Sequence, residues 1–238
     1  MSDQISFILR HIPNLLWGFP SQRPGGLLLT ILLSAGSILV GLVLAIGVAV
    51  ALHSRFAVIR FLFGRLVWVL RSIPLIVMLI LFFQFLGTGA IFGLELSSFW
   101  SAALTLTLYS MAYQADVLKG GITAVPQHLI DDSRVLGASR WTVLTTVTIP
   151  YAVRTMRPAL VTQAITVFKD SSIVVVLGVA DLTTTARIVL GADISNAPFW
   201  VATYLTVGFL YWCVAFALSR FIEAKTAYGS SRLAAAHV

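Results

Sequence analysis

Residues 24–52, PGGLLLTILLSAGSILVGLVLAIGVAVAL, contain no Asp, Glu, Lys or Arg. An α-helix rises about 1.5 Å per residue, and about 20 apolar residues cross the hydrocarbon core of a bilayer. Four other stretches are similarly apolar: 72–94, 96–115 and 194–219 lack the same four residue types, and 155–180 carries only Arg157, Lys169 and Asp170. The sequence therefore predicts an all-α membrane protein with five transmembrane helices.

The composition excludes most classes of soluble protein. Of the 238 residues, 58% are hydrophobic and 11% are charged, whereas about 25% of the residues in a soluble domain are charged. The same figures exclude an intrinsically disordered chain. The single cysteine, Cys213, excludes a disulfide scaffold. An integral membrane protein is the class that is left.

The basic residues orient the chain in the membrane. Twelve of the sixteen lie between the first and second apolar stretches, between the third and fourth, or after the fifth: Arg55, Arg60, Arg65, Arg71, Lys119, Arg134, Arg140, Arg154, Arg157, Arg220, Lys225 and Arg232. The positive-inside rule assigns that side to the cytoplasm. The N-terminus is therefore predicted outside and the C-terminus inside, and the basic excess does not require a nucleic-acid partner.

The apolar stretches divide the chain into three regions. Residues 5–19 are amphipathic, so residues 1–25 are predicted to form an N-terminal segment in the membrane interface, with Trp17 at headgroup level. Residues 26–222 are predicted to form the five-helix domain, and residues 223–238 a cytoplasmic tail.

The longest polar interruption, residues 116–157, contains two short predicted helices. The first begins near Pro126 and ends at Gly137, because proline suits the first helical turn and glycine the C-terminal stop. Ser139 is placed to cap the second helix, which is predicted to end at Pro150. The loop 126–150 is thus either a compact cytoplasmic knob or an interfacial loop that only returns the chain.

Two charges lie deep in the fourth apolar stretch. Lys169 lies twelve helical residues beyond Arg157, and Asp170 follows it, so both are about 18 Å deeper and past the middle of the bilayer. Charged groups at that depth pair, face protein or contact water. We expect the helix to break there, with Ser171 and Ser172 capping the next helical segment. The break either lines a transport path or only lets the chain turn back.

Other polar and small residues lie within the apolar stretches. Three are amides that can bind a polar substrate or join neighbouring helices: Gln84, Gln114 and Gln163. The first helix also repeats small residues every four positions, at Ser37, Gly41, Ala45 and Ala49. Because small residues allow backbones to approach, this face is predicted to pack closely on protein.

The sequence holds no site for nucleotide hydrolysis or catalysis. A Walker-type phosphate site needs Gly–Lys followed by Ser or Thr, and no Gly–Lys dipeptide occurs in the chain. The histidines His11, His53, His128 and His237 are not spaced as metal ligands, and there is no nucleophile elbow. The chain is therefore predicted to be no enzyme, with no catalytic residue, metal or cofactor of its own.

The 126–150 loop carries a family signature. Asp131-Asp132-Ser133-x3-Gly137-x9-Val147-Thr148-Ile149-Pro150 resembles the EAA motif of ABC importer permeases, E-A-A-x3-G-x9-I-x-L-P, with departures at Asp132 and Ser133. Three other segments resemble the same family: Arg71-Ser72-Ile73-Pro74-Leu75, Ala112-Tyr113-Gln114-Ala115-Asp116 and Phe168-Lys169-Asp170-Ser171-Ser172.

The resemblance implies the five-helix type I ABC importer permease fold and a role for the loop. In that family the loop is a coupling helix that docks on the ATPase subunit, and the matching residues here are Asp131, Asp132, Ser133, Gly137, Ser139, Arg140, Ile149 and Pro150. The candidate residues of the substrate path are Gln84, Gln114, Gln163, Lys169, Asp170, Ser171 and Ser172.

The resemblance also implies partners and a location. A second permease subunit, the same or paralogous, would complete the pathway, two ATPase subunits would bind ATP and Mg, and an external binding protein would deliver substrate. The location would be the bacterial cytoplasmic (inner) membrane. The substrate would be a polar amino acid, with glutamate or aspartate expected first from Leu70–Leu75 and the following Phe82-Phe83-Gln84.

Two other functions stay open at this point. A stand-alone secondary carrier or channel would use Lys169 and Asp170 as an ion or proton site and would need no ATP. A membrane scaffold would use the 126–150 loop only to recruit a partner.

Overall fold

The computed structural model describes residues 2–19, 24–87, 93 and 95–235, which contain many helices and no β-strand. Parts of three predicted regions lie outside the described residues. They are residues 1 and 20–23 of the N-terminal segment, residues 88–92 and 94 of the second apolar stretch, and residues 236–238 of the tail.

Eleven α-helices follow one another in the described residues. They are α1 (Ser2–Trp17), α2 (Gly26–Leu52), α3 (Ala57–Ser72), α4 (Leu75–Phe82), α5 (Ser98–Thr123), α6 (Gln127–Val135), α7 (Arg140–Val143), α8 (Ile149–Thr155), α9 (Arg157–Asp170), α10 (Leu182–Gly191) and α11 (Trp200–Ala235). Two π-helices, Phe83–Gly87 and Leu144–Thr148, follow α4 and α7, and two 3₁₀ helices, Ser171–Leu177 and Ile194–Phe199, follow α9 and α10.

Three helical segments among the described residues are long and apolar enough to cross a membrane. They are Gly26–Leu52, Arg157–Leu177 and Ile194–Arg220, and a fourth exists if Ala57–Ser72 and Leu75–Gly87, bent by 106°, count as one. Pro74 explains the bend, because it holds Ile73 in an extended conformation (φ −89°, ψ 127°) that ends α3. The predicted stretch 96–115 lies largely within α5, and five crossings and their orientation stay predictions.

The described chain divides into two compact units. The first contains the residues up to Ala35, Leu79–Ala102 and the residues from Ile165 onward. The second contains Gly36–Met78 and Ala103–Ala164. The 126–150 loop therefore belongs to the second unit.

In the second unit, α2 packs closely on α5 along the predicted small-residue stripe. Ser37, Gly41, Ala45 and Ala49 are all buried. A Cβ atom on Gly41 would lie only 3.0 Å from the Cβ of Ser110, and the Ser37 hydroxyl donates to the Ala103 carbonyl at 3.3 Å. The prediction of close protein packing is confirmed, and the neighbour is a helix of the same chain.

In the first unit, α1 lies with one face against α10 and the C-terminal helices. Leu15 is fully buried and packs with Leu182, Ala186 and Val207, and the ring of Phe7 stacks on that of Phe199 with centroids 4.3 Å apart. The opposite face exposes Ile5, Leu9 and Trp17, the last 64% exposed. Only one side of the predicted interfacial segment is therefore free to meet lipid.

The prediction that Pro150 ends the second short helix of the loop was wrong. The chain stays helical from Arg140 to Thr155, with the π-helix Leu144–Thr148 between two α-helical parts. Pro150 lies in the first two residues of α8. Proline has no N–H, so it cannot donate the hydrogen bond that continues an α-helix. The π-helix before Pro150 shifts the hydrogen-bond pattern by one residue, so the helix continues past the proline.

Candidate functional site

The 126–150 loop projects an exposed acidic helix. Pro126 occupies the N-cap of α6, directly before its first residue, and Asp131 and Asp132 are exposed on the helix. The Gln127 side-chain amide donates to Oδ1 of Asp131 at 3.0 Å. The Ser133 hydroxyl donates to the Leu129 carbonyl at 2.7 Å, so it is used within the helix.

Gly137 ends α6 as predicted, and the hydrogen bonds show how. Its φ of +81° lies in the left-handed region, which favours glycine because a Cβ atom is strained there. The Gly137 N–H donates to the Arg134 carbonyl at 2.9 Å, and the Ala138 N–H donates to the Ser133 carbonyl at 3.0 Å. This pair of bonds is the Schellman motif, which fixes the direction in which the chain leaves the helix.

The predicted cap at Ser139 is also confirmed. Oγ of Ser139 accepts the N–H of Thr142 at 3.1 Å and so satisfies a free donor at the start of α7. Arg140 is exposed beside the cap. The short link between the two helices is therefore fixed at both ends by hydrogen bonds.

The corner between α6 and α7 exposes large apolar side chains. Val135 and Leu136 are each 87% exposed and Trp141 is 70% exposed. Large apolar groups that cluster on a surface mark a site of contact with protein or lipid. Because the backbone at this corner is fixed, the corner offers a rigid apolar surface flanked by Asp131 and Asp132.

The end of the signature anchors the loop to the membrane helices of the second unit. Ile149 is half-buried and lines a small apolar gap with Ala49, Leu118 and Ala152. Ala152 in turn fits against Gly121 of α5, where an added Cβ would lie 2.9 Å from the Ala152 carbonyl oxygen. The loop is therefore connected to α2 and α5 by direct packing.

The three predicted amides lie in different surroundings. Gln114 is 1% exposed and donates from Nε2 to the Ile38 carbonyl at 3.3 Å and to the Ser110 hydroxyl at 3.0 Å. It therefore joins α5 to α2. Nε2 of Gln163 is buried and has no hydrogen-bond partner among the described residues. Gln84 is exposed in the first π-helix.

The regular α-helix ends at Asp170, where the break was predicted, and continues as a 3₁₀ helix. Lys169 is exposed and Asp170 is half-buried. The predicted capping by Ser171 and Ser172 was wrong. The Ser171 hydroxyl donates backward to the Phe168 carbonyl at 2.7 Å. The N-cap of the 3₁₀ helix is Asp170, which makes no side-chain capping hydrogen bond, and neither serine occupies that position.

A buried polar cluster in the first unit was missed by the sequence analysis. Asp181 is fully buried at the N-cap of α10. Its Oδ1 accepts the N–H of Thr184 at 2.8 Å, and its Oδ2 accepts the N–H of Thr183 at 3.2 Å and the hydroxyl of Tyr211 at 3.4 Å. Burial raises the pKa of the Asp181 carboxyl above its ordinary value, against the lowering effect of the Thr184 and Thr183 bonds.

Thr30 extends this cluster to the start of α2. Its Oγ1 accepts the N–H of Leu182 at 3.0 Å, and its hydroxyl donates to the Gly26 carbonyl at 3.1 Å. The Gly26 N–H donates to the Ala180 carbonyl at 2.9 Å. An aspartate directly before a helix is a recognisable cap signal, but Thr30 lies 152 residues away from Leu182 and has no local signal.

Two of the family-like segments meet in the second unit. A guanidinium nitrogen of Arg71 lies 2.7 Å from Oδ2 of Asp116, and the Arg71 guanidinium lies 5.1 Å from the ring centroid of Tyr113. These contacts fix the end of α3 on α5. Within the described residues, no three His, Cys, Asp or Glu side chains cluster as metal ligands.

Comparison with known proteins adds to this geometry. Residues 37–226 match the family model described as binding-protein-dependent transport system inner membrane component. The chain is 27% identical to the inner membrane amino-acid ABC transporter permease protein YhdY of Escherichia coli K12, over 91% of this chain. It is 29% identical to the glutamate/aspartate import permease protein GltK of Escherichia coli O6:H1, over 83% of this chain.

The chain spans 57% of the length of YhdY and 89% of that of GltK. Among solved structures, it is similar to one described as an amino acid ABC transporter with histidines, with a TM-score of 0.77 and 24% identity. That similarity covers 93% of this chain and 96% of the other. The structural likeness shows a shared fold.

Proposed function

Because the chain belongs to the family of binding-protein-dependent transport system inner membrane components, we propose that it is the membrane-spanning subunit of an ATP-driven importer of polar amino acids. The chain is a multi-pass protein of the cytoplasmic membrane. Five crossings, with the N-terminus outside and the C-terminus in the cytoplasm, agree with the distribution of its basic residues.

The corner between α6 and α7 is the observation that carries this proposal. Its exposed Val135, Leu136 and Trp141 form an apolar surface on a backbone fixed by the Gly137 and Ser139 hydrogen bonds. An ATPase subunit that docks on this surface can move the membrane helices only if the loop is stiff and anchored. Ile149 supplies the anchor on α2 and α5. We therefore assign the docking of an ATPase to this loop.

The proposed assembly is the one that the family resemblance implies, and the sequence agrees with it in one respect. With no Gly–Lys dipeptide in the sequence, ATP and Mg would be bound by two separate ATPase subunits. A second permease subunit, the same or paralogous, would complete the pathway, and an external substrate-binding protein would deliver the amino acid. ATP binding would close the ATPases, move the docked loops and switch the pathway between inward-facing and outward-facing states.

We further propose that the substrate path includes the polar groups of the membrane segments. The candidates are Gln84, Gln114, Gln163, Lys169, Asp170, Ser171 and Ser172. The buried unpartnered Nε2 of Gln163 and the change of helix type at Asp170 favour this assignment. Glutamate or aspartate is the first proposed substrate, since GltK, one of the relatives, is named for those two amino acids.

The N-terminal segment would lie along the outer surface of the cytoplasmic membrane. The side of α1 that carries Ile5, Leu9 and Trp17 is exposed, while Phe7 and Leu15 are buried against protein. Interfacial helices show this division, with tryptophan at headgroup level. Residues 223–238 would form a cytoplasmic tail.

A substitution at Gly137 tests the docking proposal. Gly137→Asp strains a backbone with φ of +81° and adds a charge to the corner, where nothing lies within 4 Å of the added Cβ. We expect co-purification of the ATPase subunits to fall at least tenfold, and ATP hydrolysis to lose its coupling to substrate.

Gly178→Asp is the matched control. Gly178 also has a positive φ, +68°, and open space around the added Cβ, but it belongs to the first unit. This variant should keep normal ATPase association. If Gly137→Asp also keeps normal association and coupling, the ATPase docks elsewhere.

A further inference from the structure

One side of α3 is exposed although it is apolar. Val58, Phe61, Leu62 and Trp68 are 77%, 65%, 63% and 61% exposed, respectively. At about 100° of rotation per residue these four side chains share one side of the helix. Val67 and Leu70, on the other side, are 5% and 7% exposed, so the packing of α3 within its unit leaves the first side uncovered.

Two arginines stack on exposed aromatic side chains, one within α3 and one just before it. The guanidinium of Arg65 lies 5.3 Å from the ring centroid of Phe61 and 5.9 Å from that of Trp68. That of Arg55 lies 4.8 Å from the ring of Phe56. Stacking on an aromatic ring holds a guanidinium in place while its N–H groups stay free to bind an anion.

Among the described side chains, no carboxylate balances these cations. The sequence contains no Asp or Glu between Asp3 and Glu95. Within the described part of the chain, no carboxylate lies within salt-bridge distance of Arg55, Arg60 or Arg65, in contrast to Arg71, which pairs with Asp116.

The bend after α3 separates this surface from the next apolar segment. The helix ends at Ser72 and meets the apolar segment Leu75–Gly87 at 106°. Because of this break, α3 is a separate helix and not the first half of a straight span. An exposed apolar side that also carries arginines is the pattern of a helix buried in the headgroup region.

We propose that α3 lies in the interface on the cytoplasmic side of the membrane, and that Arg65, together with Arg55 just before the helix, binds anionic phospholipid headgroups. The phosphates supply the missing negative charge, and the exposed aromatic and aliphatic side chains enter the acyl boundary. Each arginine close to an anionic surface increases binding about fivefold. The inference rests on the proposed topology, which puts α3 on the cytoplasmic side.

The assembled transporter, reconstituted in phosphatidylcholine nanodiscs, provides the test. Brominated phosphatidylglycerol or brominated phosphatidylcholine is added at equal fractions, and the contribution of Trp68 to the fluorescence is isolated by comparison with Trp68→Phe. We expect stronger quenching of Trp68 by the brominated phosphatidylglycerol. The excess should disappear in Arg65→Gln, because the Arg65 guanidinium lies against the ring of Trp68.

Arg154→Gln is the control for loss of a positive charge, since Arg154 is exposed in the same unit but lies outside α3. It should keep the excess quenching. Equal quenching by the two brominated lipids would overturn the proposal, because it would show no preference for anionic headgroups. Absence of quenching by both would also overturn it, because α3 would then be covered by protein, such as a second permease subunit.

ATP-driven uptake, measured on the same wild-type assembly reconstituted in sealed proteoliposomes, separates this inference from the proposed function. If uptake is normal while the quenching shows no anionic preference, only the lipid site is wrong. If uptake needs no ATP, the proposed function is wrong whatever the quenching shows.

Discussion

At the scale of single residues, Asp181 caps α10 from a fully buried position. Its two carboxylate oxygens and its backbone carbonyl accept the N–H groups of Thr183, Thr184 and Thr185. Thr30 accepts the N–H of Leu182. The four N–H groups that begin α10 are thus all satisfied, which a buried helix end requires.

We predict that Asp181→Ala lowers the free energy of unfolding by about 1–2 kcal/mol, because it removes the cap of α10. Asp181→Asn should lose less, since an amide oxygen still accepts one N–H bond. Thermal unfolding of the detergent-solubilised protein measures both. Equal stability of wild type and Asp181→Ala would show that the cap contributes nothing.

The pH dependence of that comparison has a definite sign. Because the pKa of Asp181 is raised in the folded state, the fold disfavours the ionised carboxyl, and wild type loses stability as pH rises from the ordinary value of 3.8 through the folded value. Relative to Asp181→Asn, wild type should therefore become more stable as the pH is lowered. A difference that grows in the opposite direction would contradict the burial of this carboxyl.

At the scale of elements, the contact of α2 with α5 sets how closely these helices approach in the second unit. Gly41→Ala would place its Cβ 3.0 Å from the Ser110 Cβ and 3.2 Å from the Met111 nitrogen. We expect this change to cost about 1–3 kcal/mol, since a well-packed contact must open. Thermal unfolding of the purified protein is the measurement.

Gly47→Ala on the same helix is the control, because no atom lies within 4 Å of its added Cβ. It should be neutral, or stabilise by up to about 1 kcal/mol through higher helix propensity. If both variants unfold at the same temperature, the close contact at Gly41 does not limit helix packing.

The same elements show what sequence can predict. The stop at Gly137 and the cap at Ser139 depend on residues within a few positions, and both were predictable. Pro150 was misassigned because nothing local signals the π-helix that precedes it. Ser171 was misassigned because a hydroxyl can either donate or accept, and the Phe168 carbonyl decided which.

Contacts between distant segments were not predicted from the sequence. The bond from Leu182 to Thr30 and the ion pair of Arg71 with Asp116 join residues that only the folded chain brings together. The small-residue stripe on α2 correctly predicted a close protein neighbour, but the pattern contains no information about which helix it is. Sequence thus predicts local geometry well and partners poorly.

At the scale of the whole molecule, the few charged residues lie where the proposed function needs them. Twelve of the sixteen basic residues indicate orientation, two of these are proposed to bind lipid, and Asp131 and Asp132 flank the proposed docking surface. The remaining surface of a membrane protein faces lipid and can be apolar. The central claim is that the energy for transport comes from a separate subunit that acts through the 126–150 loop.

Uptake of radiolabelled amino acid into proteoliposomes that contain the full assembly tests this claim most directly. We predict uptake only with ATP available to the ATPases and the binding protein on the opposite side, at least a tenfold loss with Gly137→Asp, and near-normal uptake with Gly178→Asp. Uptake by the purified chain alone, driven by an ion gradient without ATP, would contradict the account.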